Sequence, residues 1–298
     1  MSDAAALAER RAAFERLLGE MRPRLHRYVA RMTGSVIDGE DVVQDAMIKA
    51  MEAFDRTETL AQAEGWLFRI AHNAALDFLR RRGRRDAAHV DEDMEMIADP
   101  VIVTEQRQAA TASLATFMRL PVAQRSTVVL MDVLGYSIQE IGGIIDASVP
   151  AVKAALHRGR SRLRELAHEP EDAPAPVLSD DDRRRLSAYI ERFNARDFDT
   201  IRSMLADDVR LDLVARSRLQ GRSEVGRYFS NYSKIQDWRF ALGLVDGHLA
   251  ALVGDADAPD APPRYFVLLG WNGDRLASIR DFRYARYATE GADIRLLT

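Results

Sequence analysis

The stretch from Ser137 to Leu166, SIQEIGGIIDASVPAVKAALHRGRSRLREL, constrains the fold more than any other part of the chain. Ser137 with Glu140 three positions later is the pattern of a capping box, in which the serine and the glutamate satisfy each other's free amides. A helix therefore starts at Ile138, with Ile138, Ile141, Ile144 and Ile145 on its apolar side. Asp146-Ala147-Ser148 turns the chain. Ser148 can cap a second helix, and Pro150 is tolerated in its first turn, where no amide is required. Val149, Val152, Leu156 and Leu163 read as the buried stripe of this second helix. Ala151, Lys153, Ala154, His157, Arg158 and Ser161 are left on its outer face. The series is a helix-turn-helix, and its second helix has the size to enter a major groove with its N-terminal end at the base edges. That helix carries Lys153, Arg158, Arg160, Arg162 and Arg164 against one acid, Glu165, so it can neutralise phosphates and displace counterions. A solvated basic face on a helical hairpin would account for the charge but not for the two caps.

The whole chain is mildly acidic, with a net charge of -4 over 298 residues. Residues 1–170 hold 23 basic and 25 acidic side chains. Seven of those acids (Asp86, Asp91, Glu92, Asp93, Glu95, Asp99, Glu105) lie in Asp86–Glu105, which has no Lys or Arg. Outside that segment, 23 basic side chains face 18 acidic ones, a basic footprint interrupted by an acidic linker. Before a partner is bound, the linker acids can compete for the arginines; neutralising Asp91, Glu92, Asp93 and Glu95 is expected to raise DNA affinity of the free chain. There is no cysteine, which excludes disulfides and thiolate metal sites and fits a reducing cytoplasm. No basic-then-apolar leader is present in Met1–Glu20, and no apolar run approaches the ~20 residues of a membrane span.

Upstream, residues 4–85 carry long helical spacing with Pro23 as a breaker. In EGWLFRIAHNAALDFLRRRGRR, Glu64 to Arg85, the core stripe is Leu67, Ile70, Ala71, Ala74 and Phe78. A separate polar stripe holds Arg69, Asn73, Asp77 and Arg80. Trp66 opens the helix beside a loop, Thr57–Ala63, and five arginines end it. Arginine with an aromatic suits unstacked bases. In DGEDVVQDAMIKAMEAF, Asp38 to Phe54, Val42, Ala46, Ile48 and Met51 are expected to face inward. Asp38, Glu40, Asp41, Gln44 and Asp45 form an acidic-polar surface suited to a basic protein partner.

After the Pro/Ala/acid segment EPEDAPAPVLS the pattern changes. Two helices, Asp180–Ala195 and Phe198–Leu205, precede strand-like runs that begin at Val209, Trp238, His248, Arg264 and Arg275, with a helix at Arg222–Tyr232. Asn272-Gly273 between the last two runs is a hairpin signal. Asp212, His248 and Asp281 are candidate proton-transfer groups, with Trp238, Trp271 and Tyr284 as candidate pocket walls. Spacing alone does not bring them together, and a structural pairing of Asp281 with Arg280 or Arg283 explains that acid without catalysis.

The first 168 residues resemble an extracytoplasmic-function (ECF) sigma factor of bacterial RNA polymerase. DGEDVVQDAMIKAMEAF is similar to that family's polymerase-binding helix, EGWLFRIAHNAALDFLRRRGRR to its −10 helix, and Leu120–Leu166 to its −35 domain. The remainder resembles SnoaL-like, cone-shaped α+β domains related to nuclear transport factor two and polyketide cyclases, through LSAYIERFNARDFDTIRSMLADDVRLDL and FVLLGWNGDRLASIRDFRYARYA. A Gly-rich segment known after the first strand in some fused groups is not matched by LVARSRLQG. The resemblance implies a multidomain fold: two all-α domains, a helical bundle over 1–85 and a helix-turn-helix over 105–168, followed by an α+β cone over 179–298, with linkers at 86–104 and 169–178.

The resemblance also implies the roles of single residues. Asp38, Asp41, Gln44 and Asp45 would face core polymerase. Trp66, Arg69, Asn73, Arg80 and Arg81 would face the −10 strand. Ser148, Pro150, Ala151, Lys153, Ala154, His157, Arg158 and Arg160 would face the −35 groove. Ala154 and Ala155 stand where many relatives have polar or basic residues, which shifts weight from base contacts to DNA shape. Asp212, Trp238, Trp271 and Asp281 would line a pocket in the cone. The implied partners are core polymerase and promoter DNA, with a small molecule or protein as regulator of the C-terminal domain. No cofactor, metal, membrane or enzymatic activity is implied, and the location is cytoplasmic. Two other classes compete: a stand-alone helix-turn-helix regulator with a ligand-sensing cone, which leaves Asp38–Arg85 unexplained, and an isomerase- or cyclase-like enzyme with a DNA-targeting arm.

Overall fold

The computed structural model describes residues 3–54, 63–83, 109–169, 178–232 and 237–297. The acidic linker, the loop after residue 54, Arg84, Arg85 and most of the Pro/Ala linker lie outside them. The chain divides into two compact units, Met1–Ala173 and Pro174–Thr298.

The first unit is helical. Helices α1 (Asp3–Thr33), α2 (Val36–Ala53) and α3 (Ala63–Gly83) are followed by α4 (Leu114–Met118) and α5 (Val122–Val128). A single π turn, Val129–Val133, leads to α6 (Ile138–Ile145) and α7 (Val149–Leu166). Pro23 is accommodated inside α1. Gly34 turns the chain at φ 80°, a left-handed value that glycine adopts without a Cβ clash. Ser35 then caps α2 by accepting from the amides of Ile37 and Asp38. Helices α1 and α2 meet closely at Gly39, where an added Cβ would lie 2.8 Å from the Ala30 backbone.

The two helical segments share one continuous core. It runs from Phe14, Tyr28 and Phe54 through Leu67, Phe68 and Ala71 to Phe117, Val128, Tyr136, Ile141, Val152 and Leu163. Phe68 of α3 meets the Tyr136 ring edge-on, with centroids 5.0 Å apart. Arg24 lies over both rings, at 5.8 and 5.4 Å. Its guanidinium pairs with Glu64, which also accepts from the Tyr136 hydroxyl. Tyr28 and His72 are bonded at 2.7 Å inside the bundle. Burial lowers the His72 pKa to about 4, so this imidazole is neutral at pH 7 and fits an apolar interior.

Arg125 of α5 is buried and donates to the carbonyls of Met32, Met118 and Leu120. Those carbonyls lie at the ends of α1 and α4, where helices leave acceptors without intrahelical partners. One side chain thus joins the first segment to the second.

The second unit is one seven-stranded sheet flanked by helices. Helices α8 (Asp180–Asn194) and α9 (Phe198–Met204) precede β1 (Leu205–Leu213), β2 (Ser217–Gln220) and α10 (Arg222–Tyr232). The remaining strands are β3 (Trp238–Val245), β4 (His248–Asp255), β5 (Tyr265–Asn272), β6 (Arg275–Asp281) and β7 (Ile294–Leu296). Their order is β2-β1-β6-β5-β4-β3-β7. β1 and β6 are parallel and the other neighbours antiparallel. Helix α8 packs on β3 and β4, burying Leu186, Tyr189, Ile190 and Phe193. Phe193 stacks on Phe240 with centroids 4.1 Å apart and meets Tyr232 and Trp238 edge-on.

The hairpin signal sits one residue from where the sequence suggests. Asn272 pairs with Arg275, so the turn is Gly273-Asp274, and Gly273 takes φ 57°. A register shift at Gly270/Trp271 absorbs the difference. Strands β2 and β7 are too short to carry a readable alternation.

Replacing Arg125 with methionine is expected to leave three carbonyls, two of them buried, without this donor. At about 1–3 kcal/mol for each buried unsatisfied group, partly offset by relaxation, the urea midpoint of the helical unit should fall clearly. A midpoint within error of wild type would show that Arg125 is not a structural tie.

Candidate nucleic-acid interface

The helix-turn-helix forms as its caps require. Ser137 and Glu140 make both bonds of a capping box, and these bonds hold the Glu140 carboxyl below its ordinary range. Asp146 ends α6 in the left-handed region at φ 56°. Ser148 caps α7 by accepting from Ala151 N at 3.4 Å, with Pro150 in the first turn. Val152, Ala155, Leu156, Gly159, Leu163 and Leu166 form the buried side of α7. Gly159 lets α7 close on α5, since a Cβ there would lie 2.7 Å from Val128 Cγ2.

The outer side of α7 holds Pro150, Ala151 and Lys153 exposed, with Ala154, His157 and Arg158 half-buried. Ser148, also exposed, uses its hydroxyl as the cap. Arg160 points elsewhere. Its guanidinium bonds the buried Asp132 carboxylate, with Nε to Oδ2 at 2.9 Å. Ala155 lies inside the core.

Val149 departs from the sequence expectation. It belongs by spacing to the buried stripe, yet it is 37% exposed. Side chains on a helix tilt toward its N-terminus, so a first-turn side chain extends past the helix end, beyond the layer that covers Val152.

On α3, Arg69, Asn73, Arg80 and Arg81 are exposed and Trp66 is half-buried against the core beside Phe14. Arg69 Nε donates to the Gly143 carbonyl of α6 at 2.9 Å. Arg80 pairs with Asp77 on its own helix. The first-unit interface is therefore assembled from two sides: α7 presents its outer face freely, while α3 engages α6 through Arg69.

On α2, Asp41 and Asp45 are exposed, with Asp38 and Gln44 half-buried. Asp38 pairs with Arg82 at 3.4 Å, and Gln44 accepts from Arg22 at 2.8 Å. Glu40, expected on this surface, is buried and paired with Arg22. Ile48, expected inward, is 45% exposed. The inward stripe is instead Val36, Val42, Val43, Ala46, Met47 and Ala50, which puts Ile48 on the side of Asp41 and Asp45.

The four candidate pocket residues of the second unit are not brought together. Asp281 is fully buried, at 0% exposure. One carboxylate oxygen accepts from the hydroxyls of Tyr228 and Tyr232, and the other from the Arg283 amide at 2.8 Å. Tyr232 reaches Tyr265 at 3.3 Å. Trp238 packs into the ring cluster beside this network. Asp212 lies on β1 with Arg218 and Arg280 at 3.5 and 3.8 Å. Trp271 and His248 line a different space, a cavity of about 470 Å³ between the start of α8 and the separating ends of β4 and β5, with Asp182, Leu186, Leu249 and Leu269. Tyr284 is exposed under Arg216, 4.3 Å from its ring centre. The side-chain partner expected from Arg283 is its backbone amide, and Arg280 serves Asp212 instead.

Burial pushes the Asp281 carboxyl above its ordinary value, with Tyr228, the Arg283 amide and Tyr232 acting against that. The folded chain then keeps a proton at pH values where the unfolded chain has released it. Stability contributed here is lost as pH rises from about 4 through the raised folded value. Asp281→Asn, which has nothing to titrate, should gain urea midpoint relative to wild type as pH rises across that window. A difference that stays flat with pH would remove the linkage.

The sequence matches the family models Sigma-70 region 2 over residues 17–85, Sigma-70, region 4 over residues 114–163, and SnoaL-like domain over residues 186–283. It is 38% identical over 164 residues to the ECF RNA polymerase sigma factor SigM of Mycobacterium tuberculosis, a match covering 55% of this chain and 81% of that protein. It is 33% identical over 157 residues to the RNA polymerase sigma factor CarQ of Myxococcus xanthus, covering 53% of this chain and 90% of that one. A crystal structure of the Mycobacterium tuberculosis extracytoplasmic function sigma factor SigJ aligns over 88% of this chain and 94% of its own, at 20% identity and a TM-score of 0.34.

Proposed function

The chain belongs to the extracytoplasmic-function sigma factors of bacterial RNA polymerase, and from that premise we propose the role of each of its surfaces. As a sigma factor it binds core RNA polymerase and directs it to promoter DNA. The −35 element is read by α7, through Pro150, Ala151, Lys153, Ala154, His157 and Arg158. The −10 strand is held by Trp66, Arg69, Asn73, Arg80 and Arg81 on α3. Core polymerase is met by Asp38, Asp41, Gln44 and Asp45 on α2, with Ile48 adding an apolar contact on the same side. A factor that works with polymerase on promoter DNA acts in the cytoplasm. Separately, no helix among the described residues is long and apolar enough to cross a membrane.

One observation carries the assignment. A doubly capped helix-turn-helix leaves the outer face of α7 open, while the basic helix α3 lies in the same unit. The contact of Arg69 with Gly143 adds a condition. Arg69 must leave that carbonyl before it can reach a phosphate or base, while Asn73, Arg80 and Arg81 stay exposed on α3.

The second unit modulates this activity in cis and does not catalyse. Asp281, its buried acid, already has three donors, and aromatic rings fill the space beside it. A catalytic acid or base needs an open position within hydrogen-bond reach of a substrate. Turnover by the full chain on any substrate, abolished by Asp281→Asn, would contradict this.

Run-off transcription with core polymerase tests the assignment. The full chain should support promoter-specific transcripts, and residues 1–173 should change either their yield or the affinity for core. The cut falls at the boundary between the two compact units. Unchanged yield and affinity would refute control in cis. Arg158→Ala should weaken binding to −35 duplexes of all sequences and reduce the salt slope by about one.

A further inference from the structure

The first six residues of α7 are Val149, Pro150, Ala151, Val152, Lys153 and Ala154. Val152 is buried against the core. The others form the surface at the helix N-terminus, with Val149, Pro150, Ala151 and Lys153 exposed and Ala154 half-buried. The Ser148 hydroxyl beside them accepts from the Ala151 amide and keeps its own O–H to donate. This end of the helix therefore offers base edges several aliphatic groups, one cation and one hydroxyl.

That inventory limits what can be read. Bidentate recognition of adenine requires an amide side chain, and acceptance from cytosine N4 requires a carboxylate. Neither stands among these six residues. Lys153 can donate to guanine O6 and N7. The major-groove feature that an aliphatic side chain distinguishes is the C5-methyl of thymine. Val149 is the largest exposed aliphatic group in the series. An exposed valine at the start of the helix costs apolar exposure in the free protein, which contact with a methyl group would recover.

We propose that Val149 is a specificity-determining residue of the −35 contact and reads the C5-methyl of one thymine, beside a guanine taken by Lys153. This rests on the assignment of α7 to the −35 element. It adds apolar readout at the helix start, where Ala154 offers no polar group.

The test uses holoenzyme assembled from the full chain and bacterial core polymerase. Duplexes are selected from a pool randomised across the −35 window, and each thymine of the winning duplex is then replaced by uracil, which removes the methyl alone. One replacement should weaken wild-type binding about fourfold, the worth of one methyl-sized apolar contact. Val149→Ala should show a similar loss on the thymine duplex and no further loss on the uracil duplex. Since Val149 is exposed, this variant should keep the wild-type urea midpoint. An undiminished uracil penalty in Val149→Ala, or a scan with no thymine-sensitive position, overturns the inference. Failure of the underlying assignment has a different signature: neither Lys153→Ala nor Arg158→Ala would weaken binding to the selected duplexes.

Discussion

The contact between Tyr136 and α3 sets the state of the whole helical unit. Its ring closes on Phe68 and Arg24, and its hydroxyl donates to Glu64. A buried phenol with an ionised acceptor and an adjacent cation is a satisfied polar network, and such networks fix one packing among several. Burial and the Glu64 bond push the Tyr136 hydroxyl well above its ordinary range, so it remains a donor at physiological pH. Through this residue the loop ahead of the helix-turn-helix is joined to α3, whose first turn holds Trp66. Arg125 makes a second tie at the Met32 carbonyl. Neither tie involves the outer face of α7, so the packing that engages Arg69 with α6 leaves that face exposed.

The second unit follows a different constraint. A carboxylate at 0% exposure is costly unless donors surround it, and two tyrosines with one amide do so at Asp281. The same tyrosines anchor α10 to the end of β6, so the acid acts as an internal fastener of the cone. The unit keeps open volume elsewhere, where β4 and β5 pair only over Ala251–Val253 and then part. The centre of this unit is thus filled by aromatic side chains, and a fold does not by itself carry an activity.

Much of this was legible in the sequence. Ser137, Glu140, Ser148 and Pro150 specify two helix starts by local hydrogen bonding, and local rules survive folding. The alternation after Asp180 gave the main strands for the same reason. What was not legible depended on neighbours distant in the chain. Glu40 looks like a surface acid until Arg22 is placed beside it, and Arg160 looks like a phosphate contact until Asp132 is. Asp281 and Asp212 are both acids on adjoining strands, but the partners of each come from other elements. The sharing of one core by residues 14 to 166 is likewise invisible to periodicity, which reports that a face is buried and not what buries it.

Val149 shows where periodicity fails within a single helix. The 3.6-residue repeat assigns a direction around the axis and is silent about position along it. Three residues deeper, at Val152, the stripe has a neighbour to cover it; in the first turn the tilt of the side chain carries it beyond that neighbour. An apolar residue at such a place is exposed by geometry even though its angle is right for the core. In a helix that enters a groove end-on, that exposed position is also the one nearest the bases. The residue that hydrophobic patterning assigns to the core is therefore the one that the proposed −35 contact uses to discriminate a methyl group.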